Sequence, residues 1–428
     1  MNSGDTAFML IAMAMVMLMT PAIALFYGGM VRVKNVLNTI MQCIVVMGLV
    51  STQWILGGYS LSFGPDLGHL VGNLDWSLFT GVGLTANETY AATIPHALFA
   101  LFQMMFAIIT VGIISGSFVE RIKFWPFFLF ALIWTTIVYD PVAHWVWGDG
   151  GWLKDKGILD FAGGTVIHIL SGVSGLVVAL VVGKRAGYGR MPMIPHNLPL
   201  IIMGMAFLWF GWFGFNGGSA LAANGIAAHA MVTTQTAAGI GLLAWIGLET
   251  WATGKPTTLG AASGAVSGLV AITPGAGFIP VWSSLIIGAL GGVVCFFAVT
   301  QLKNKLRYDD SLDAFGIHGV GGIWGAIATG LFASKEINPA GADGLFFGNI
   351  EQLWIQILGV LACLVFAVVV TYIVIKLMTL CMRVRADEGE QIVGMDTMEH
   401  GERGYAYMDS LGALSFSNPL TEGCKHKL

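Results

Sequence analysis

The feature that most limits the fold is a series of long apolar segments, centred near residues 17, 50, 105, 135, 173, 208, 241, 268, 290, 323 and 366 and separated by short polar breaks. About 20 apolar residues at 1.5 Å per residue cross a hydrocarbon core of about 30 Å. Within lipid every backbone amide needs a partner inside the chain, which leaves helices and closed barrels. These segments are continuously apolar rather than alternating, so they read as eleven transmembrane helices of an all-α polytopic membrane protein. Composition agrees, since 56% of the 428 residues are hydrophobic and 10% are charged, far from the roughly 25% charged share of soluble domains. The apolar run from Phe8 continues to Phe26 behind an uncharged-to-acidic start, Met1-Asn-Ser-Gly-Asp5. It therefore reads as a first spanning helix and not as a signal peptide.

The breaks orient the chain. Arg32 and Lys34, Arg121 and Lys123, Lys184, Arg185 and Arg190, Lys255, and Lys303, Lys305 and Arg307 fall on one side, against Lys154, Lys156 and Lys335 on the other. The positive-inside rule then puts the N-terminus outside and the tail in the cytoplasm, with the chain in the cell (inner) membrane. Two units follow: a transmembrane unit over 1–382 and a polar cytoplasmic tail over 383–428. The bilayer is the expected environment. Nucleic acid is not an expected partner, because the net charge is -4 and no basic run occurs. Cys43, Cys295, Cys363, Cys381 and Cys424 form no CxxC pair and read as small packing residues, with no metal site.

An odd helix count makes the first five helices comparable with the next five in opposite orientation. Phe26-Tyr-Gly28-Gly29 ends the first helix much as Phe215-Asn-Gly217-Gly218 ends the sixth, and His168 in the fifth answers His318 in the tenth. Such symmetry marks an inverted repeat around a central pore, with the site near the midplane between halves and helix eleven peripheral. His168 lies eight residues past Asp160, about 12 Å inward at 1.5 Å per residue, and His318 approaches the same depth from the other face. Each histidine has small residues at +3, +4 and +7, so in an α-helix each ring shares its face with a closely packable stripe. Ionisable groups in lipid are costly and mark pathways. A pair of imidazoles can relay a proton, guide a small polar molecule, or hold haem iron from two sides. The small-residue stripe leaves room for something narrower than a macrocycle.

At these residues the chain resembles the ammonium transporters of the Amt/Mep/Rh superfamily, bacterial Amt type, over nearly its whole length. Asp160-Phe-Ala-Gly-Gly-Thr-Val-Ile-His168 through Gly183-Lys-Arg185 resembles the fifth-helix signature of that family. Ala24-Leu-Phe-Tyr-Gly-Gly29, Gly211-Trp-Phe-Gly-Phe215-Asn-Gly-Gly-Ser219, Thr273-Pro274 and Asp309-Asp310-Ser-Leu-Asp313-Ala-Phe-Gly-Ile-His318-Gly are similar to further family motifs. The resemblance implies a homotrimer for nitrogen uptake, each protomer having its own pore, with no enzymatic activity and no cofactor. It implies that His168 and His318 are twin pore histidines. Phe106, in Phe102-Gln103-Met-Met-Phe106, and Phe215 would form a stacked phenylalanine gate, and Phe102, Trp147 and Ser219 an external recruitment site. Gly394-Met-Asp396 and His400-Gly-Glu-Arg403 resemble the family's tail, which in relatives packs under neighbouring subunits and meets a PII-type signalling protein.

The chemistry suits ammonium. Aromatic faces attract a small cation by about 0.5 to 2 kcal/mol, while a charge at the bilayer centre costs at least about 2.5 to 3.5 kcal/mol. Ammonium can shed its proton and cross as ammonia; potassium cannot. The resemblance favours net electrogenic transfer. Two other readings stay open on the residues: a nitrogen sensor acting through the tail, and a bis-histidine haem electron carrier. Asp160 is expected to cap a helix and support the outer vestibule, and Asp309, Asp310 and Asp313 to cap helix ten and pair with Arg307 or Lys305. His96, His144 and His196 need no special role near helix ends, and Asn87-Glu-Thr89 is a sequon by pattern only.

Overall fold

The computed structural model describes residues 1–405 of the chain; Cys424 and the rest of the expected tail over 406–428 lie outside the described residues. Ten helices there are long and apolar enough to cross a membrane. In chain order the spanning elements are α1 Ser3–Met30, α2 Val33–Phe63, α3 His96–Ser115, α4 Phe124–Asp155 and α5 Gly164–Val182, then α6 Leu198–Gly218 and α7 Gly225–Thr253. A shorter apolar helix, α8 Thr258–Ile272, precedes α9 Val281–Leu306, α10 Phe315–Phe332 and α11 Ile350–Cys381. Several starts are written locally. Asn2, Asn197, Asn224, Thr257 and Asn349 each accept a first-turn amide of the helix they open, as expected of short polar caps.

The repeat is visible in how matching elements break. α3 stops at Ser115 and α8 at Ile272, and each is followed by a buried non-helical stretch. Irregular backbone in a membrane needs protein partners. Phe161 N donates to Pro274 O at 3.0 Å in one half, and Ser311 N to Ser117 O at 3.0 Å in the other. α5 and α10 both open in a π-turn, over Gly164–Ile169 and Phe315–Gly319, each carrying its histidine. These π-turns depart from the regular α-helix assumed for the small-residue faces. The +4 glycines nevertheless make the crossing. A Cβ on Gly172 would collide with the Gly319 backbone, and one on Gly322 would lie 2.9 Å from Gly164 O and 3.0 Å from the His168 Cβ. α1 packs along α6 in the same manner, where a Cβ on Gly214 would sit 2.7 Å from Ala12 O. α11 lies outside the repeat and presents Leu361, Val365 and Val369 outward.

The face that carries the arginines is tied by buried charge. Glu120 accepts from Arg32 Nε at 3.0 Å, Asn35 Nδ2 at 2.7 Å and Arg185 Nη1 at 2.7 Å. Arg185 also grips Asp309 through Nε and Nη2, the latter at 2.8 Å, and Arg121 Nη1 stands 3.5 Å from the same carboxylate. The aspartates therefore do not pair as expected: Asp309 meets Arg185 and Arg121, and Asp313 meets Lys303 at 2.6 Å, rather than Arg307 or Lys305. The chain turns at Arg307 (φ 55), which delivers Asp309 to loops remote in sequence. Tail residues 383–405 lie on this face. Asp396 accepts from Asn38 N at 2.8 Å, Lys123 Nζ reaches Glu390 at 2.8 Å, and Arg385 Nη1 donates to Val182 O at 2.7 Å.

Two expectations follow from this packing. Gly172→Val places a branched side chain against backbone that cannot retreat, and is expected to cost about 1 to 3 kcal/mol, read as a lower melting temperature in detergent. Burial pushes the Glu120 and Asp309 carboxyls up, but Arg185 and Arg32, and Arg121 and Arg185, hold them below the usual carboxylate range. A depressed folded value stabilises above the unfolded one and is lost as pH falls through the folded one. The melting temperature should accordingly hold down to about pH 5 and fall below about pH 4. Glu120→Gln, which takes the carboxylate from Arg32 and leaves Arg185 with Asp309, should lower stability by about 1.5 to 3 kcal/mol at neutral pH.

Candidate functional site

The inverted crossing of α5 and α10 places the two histidines in direct contact. His168 Nδ1 and His318 Nδ1 lie 3.1 Å apart, with ring centroids at 5.2 Å. One ring nitrogen must donate and the other accept, so the pair shares one proton. His168 also stacks on Trp212 at 5.5 Å and 18°, and Trp212 Nε1 donates to Thr273 Oγ1 at 2.9 Å. These contacts hold the ring, yet its Nε2 is buried and has no hydrogen-bond partner among the described residues. The rings line a cavity of about 10 Å³ together with Ile23, Tyr27, Ile113, Phe215 and Val266. That is room for about one water-sized guest. A haem does not fit, since its iron would have to separate rings that already bond each other.

A stacked aromatic pair closes one end of this cavity. Phe106 and Phe215 lie face to face, centroids 4.4 Å apart and planes at 15°. Phe215 lines the histidine cavity, and Phe106 lines a larger one of about 420 Å³ toward the face opposite the arginines. The pair is thus the partition between them. Trp147 meets Phe106 edge-on at 6.2 Å and donates through Nε1 to Asp160 O at 2.8 Å. Ser219 lines the same large cavity and donates to Phe215 O at 2.8 Å, which leaves its oxygen lone pairs for a guest. Phe102 is placed differently from Trp147 and Ser219. It is fully buried and backs Phe106 edge-on at 4.8 Å, instead of lining the vestibule.

Asp160 lines that vestibule and organises the start of α5. Its carboxylate accepts from the amides of Gly163 at 2.8 Å, Gly164 at 2.6 Å and Thr165 at 2.8 Å, and from the Thr165 hydroxyl. These are orphan donors of a helix start, so the carboxylate caps the π-turn that carries His168. Asp310 repeats the arrangement before His318, accepting from Phe315 N at 2.8 Å. Beyond the histidines a third cavity of about 630 Å³ opens on the arginine-bearing face, lined by Lys184, Arg185, Lys303 and Asp313 among others. His96, His144 and His196 are all engaged, by Tyr59, Asp66 and Tyr405. Trp212 was not assigned a role from sequence, although it sits in a motif quoted for its glycines and Phe215. An indole in an apolar helix carries no signal of what its face covers.

Comparison with known proteins meets this geometry from another direction. A family model described as Ammonium Transporter Family matches residues 7–405. The chain is 52% identical over 411 residues to an ammonium transporter of Bacillus subtilis (strain 168), covering 96% of this chain and 100% of the relative. It is 44% identical over 405 residues to the ammonium transporter Amt1 of Archaeoglobus fulgidus, covering 95% and 100%. Among solved structures it is similar to Saccharomyces cerevisiae Mep2, with a TM-score of 0.85, 37% identity and 91% and 89% of the two chains covered. A structure called a sensor Amt protein is similar at a TM-score of 0.85 and 27% identity, covering 93% and 98%. The chain, a multi-pass membrane protein with ten helices of membrane-spanning length and a shorter apolar helix among its described residues, belongs to the ammonium transporter family.

Proposed function

We propose that ammonium is captured in the vestibule by Phe106, Trp147 and Ser219, gives up its proton there, and passes the Phe106–Phe215 gate and the His168–His318 pair as ammonia. The observation that carries this reading is the buried Nε2 of His168, without a hydrogen-bond partner among the described residues, in a cavity of about 10 Å³. Ammonia both donates and accepts, so it can bond that nitrogen in either tautomer of the pair. Aromatic attraction of about 0.5 to 2 kcal/mol suffices at a wet mouth but not against the cost, at least about 2.5 to 3.5 kcal/mol, of a bare charge at mid-membrane. Deprotonation resolves the conflict and rejects potassium. The proton follows through the shared imidazole contact, which makes net transfer electrogenic. Phe102 serves the recruitment site by holding Phe106 in place, and Asp160 supports it by fixing the backbone beneath.

The clustering of Arg32, Arg121, Arg185 and the docked tail on one face supports a cytoplasmic location for that face, with the N-terminus outside and the chain in the cell membrane. Family membership supports a homotrimer with one pore per protomer. The tail is the regulatory element, and a PII-type protein is its partner.

Transport is tested by charge-displacement recording on proteoliposomes given ammonium pulses. The native protein should give a transient current, which His168→Ala and His318→Ala each reduce about tenfold or more, equal to about 1.4 kcal/mol. Swelling driven by ammonia without current would overturn the electrogenic step, and neither signal would overturn transport. Added PII-type protein should bind the tail face and slow uptake under nitrogen-replete conditions; failure to bind or to slow it removes that partner.

A further inference from the structure

The vestibule contains an aromatic face that the pathway above leaves unused. Tyr90 lines the same cavity as Phe106, Trp147 and Ser219. Its ring is held from behind: the hydroxyl donates to Phe63 O at 2.8 Å and accepts from Asp149 N at 2.9 Å, and the ring stacks on Phe99 at 5.1 Å and 14°. Over this ring, 5.5 Å from its centroid, lies the ammonium group of Lys154. Lys154 comes from the short helical turn Trp152–Asp155 and lines the same cavity. Its other contact with charge among the described residues is Asp149 Oδ1 at 3.7 Å, with the two side chains 38% and 68% exposed. Exposed ion pairs and exposed cation–π contacts are both weak, and the lysine stem is flexible, so this group can leave the ring at little cost.

We propose that the Tyr90 face is an outer binding site for ammonium and small alkylammonium ions, and that Lys154 occupies it as a tethered competitor until substrate displaces it. The proposal rests on the pore reading for what lies below the site. A lysine side chain ends in a primary alkylammonium, with the charge and N–H donors of the substrate itself. Its place over the ring shows that the site accepts such a group, with Asp149 supplying an acceptor beside it. Tethering gives it a local concentration on the order of millimolar, so Lys154 sets how much external ammonium is needed to load the vestibule.

The test is the half-saturating ammonium concentration in proteoliposome currents. Lys154→Gln should lower it about threefold, as expected for removing a tethered competitor. The gain should persist with Tyr90→Phe, which keeps the ring, and vanish with Tyr90→Leu. A Lys154→Gln protein with an unchanged or raised value overturns the proposal. So does a gain that survives Tyr90→Leu, since that outcome means only long-range repulsion by the lysine. Caesium soaked into crystals gives a readout without transport: its anomalous signal over Tyr90 should appear in Lys154→Gln and be absent from Lys154→Gln/Tyr90→Leu. Failure of the native current alone tells against the pore reading, while missing caesium over Tyr90 tells against this site.

Discussion

The structure depends on the backbone-to-backbone approach of α5 and α10. Gly172 rests against the Gly319 backbone, and Gly322 against Gly164 and His168, each glycine lying four residues past one of the two histidines. Only residues without a side chain let two helices come so close. The 3.1 Å imidazole contact is a consequence of that approach. So is the small size of the cavity beside it, and the exclusion of anything as wide as haem. The aromatic partition and the vestibule then sit where the repeat leaves space, above the crossing.

Close helix approach has a cost in backbone polarity, and the fold meets it twice in the same way. Each of α5 and α10 begins with a carboxylate eight residues before its histidine, and each carboxylate accepts the amide five residues on. A residue in the left-handed region stands three positions after each acid, Gly163 at φ 109 and Asp313 at φ 60. Buried donors without acceptors would cost about 1 to 3 kcal/mol each, so Asp160 and Asp310 are what permit the π-turns to exist in an apolar setting. On the arginine-bearing face the Glu120, Arg185 and Asp309 cluster ties the loop after α3 to the segments that follow α5 and precede α10, and the tail joins it through Met395 N, which donates at 2.9 Å to the Asn35 side chain that binds Glu120. Helix crossing, loop charges and tail are therefore mechanically continuous.

Much of this was legible in order of residues. Long apolar runs announced the spans, and Asp160 ahead of its apolar run announced a helix cap. The paired histidines with their small-residue stripes announced two related helices. Other features were not legible for identifiable reasons. The partners of Asp309 are remote in sequence, so proximity to Arg307 misled. The face that Phe102 presents depends on the rotation of α3, which is apolar on every side and has no amphipathic stripe to set it. The π-turns change helical phase by one residue without any compositional sign. Lys154 and Tyr90 are 64 positions apart and meet only because two loops fold over the same vestibule.

By itself the sequence determined the solvent, the succession of apolar helices, their inverted pairing and the matching of His168 in one half with His318 in the other, because hydrophobicity, charge bias and residue spacing are local properties that lipid reads directly. Only the tertiary structure decided that the two rings touch, that Phe106 faces one cavity and Phe215 the other, and that the His168 Nε2 is left without a partner among the described residues. Those outcomes depend on ångström-scale helix approach and on helix rotation, which are set by packing between segments far apart in the chain.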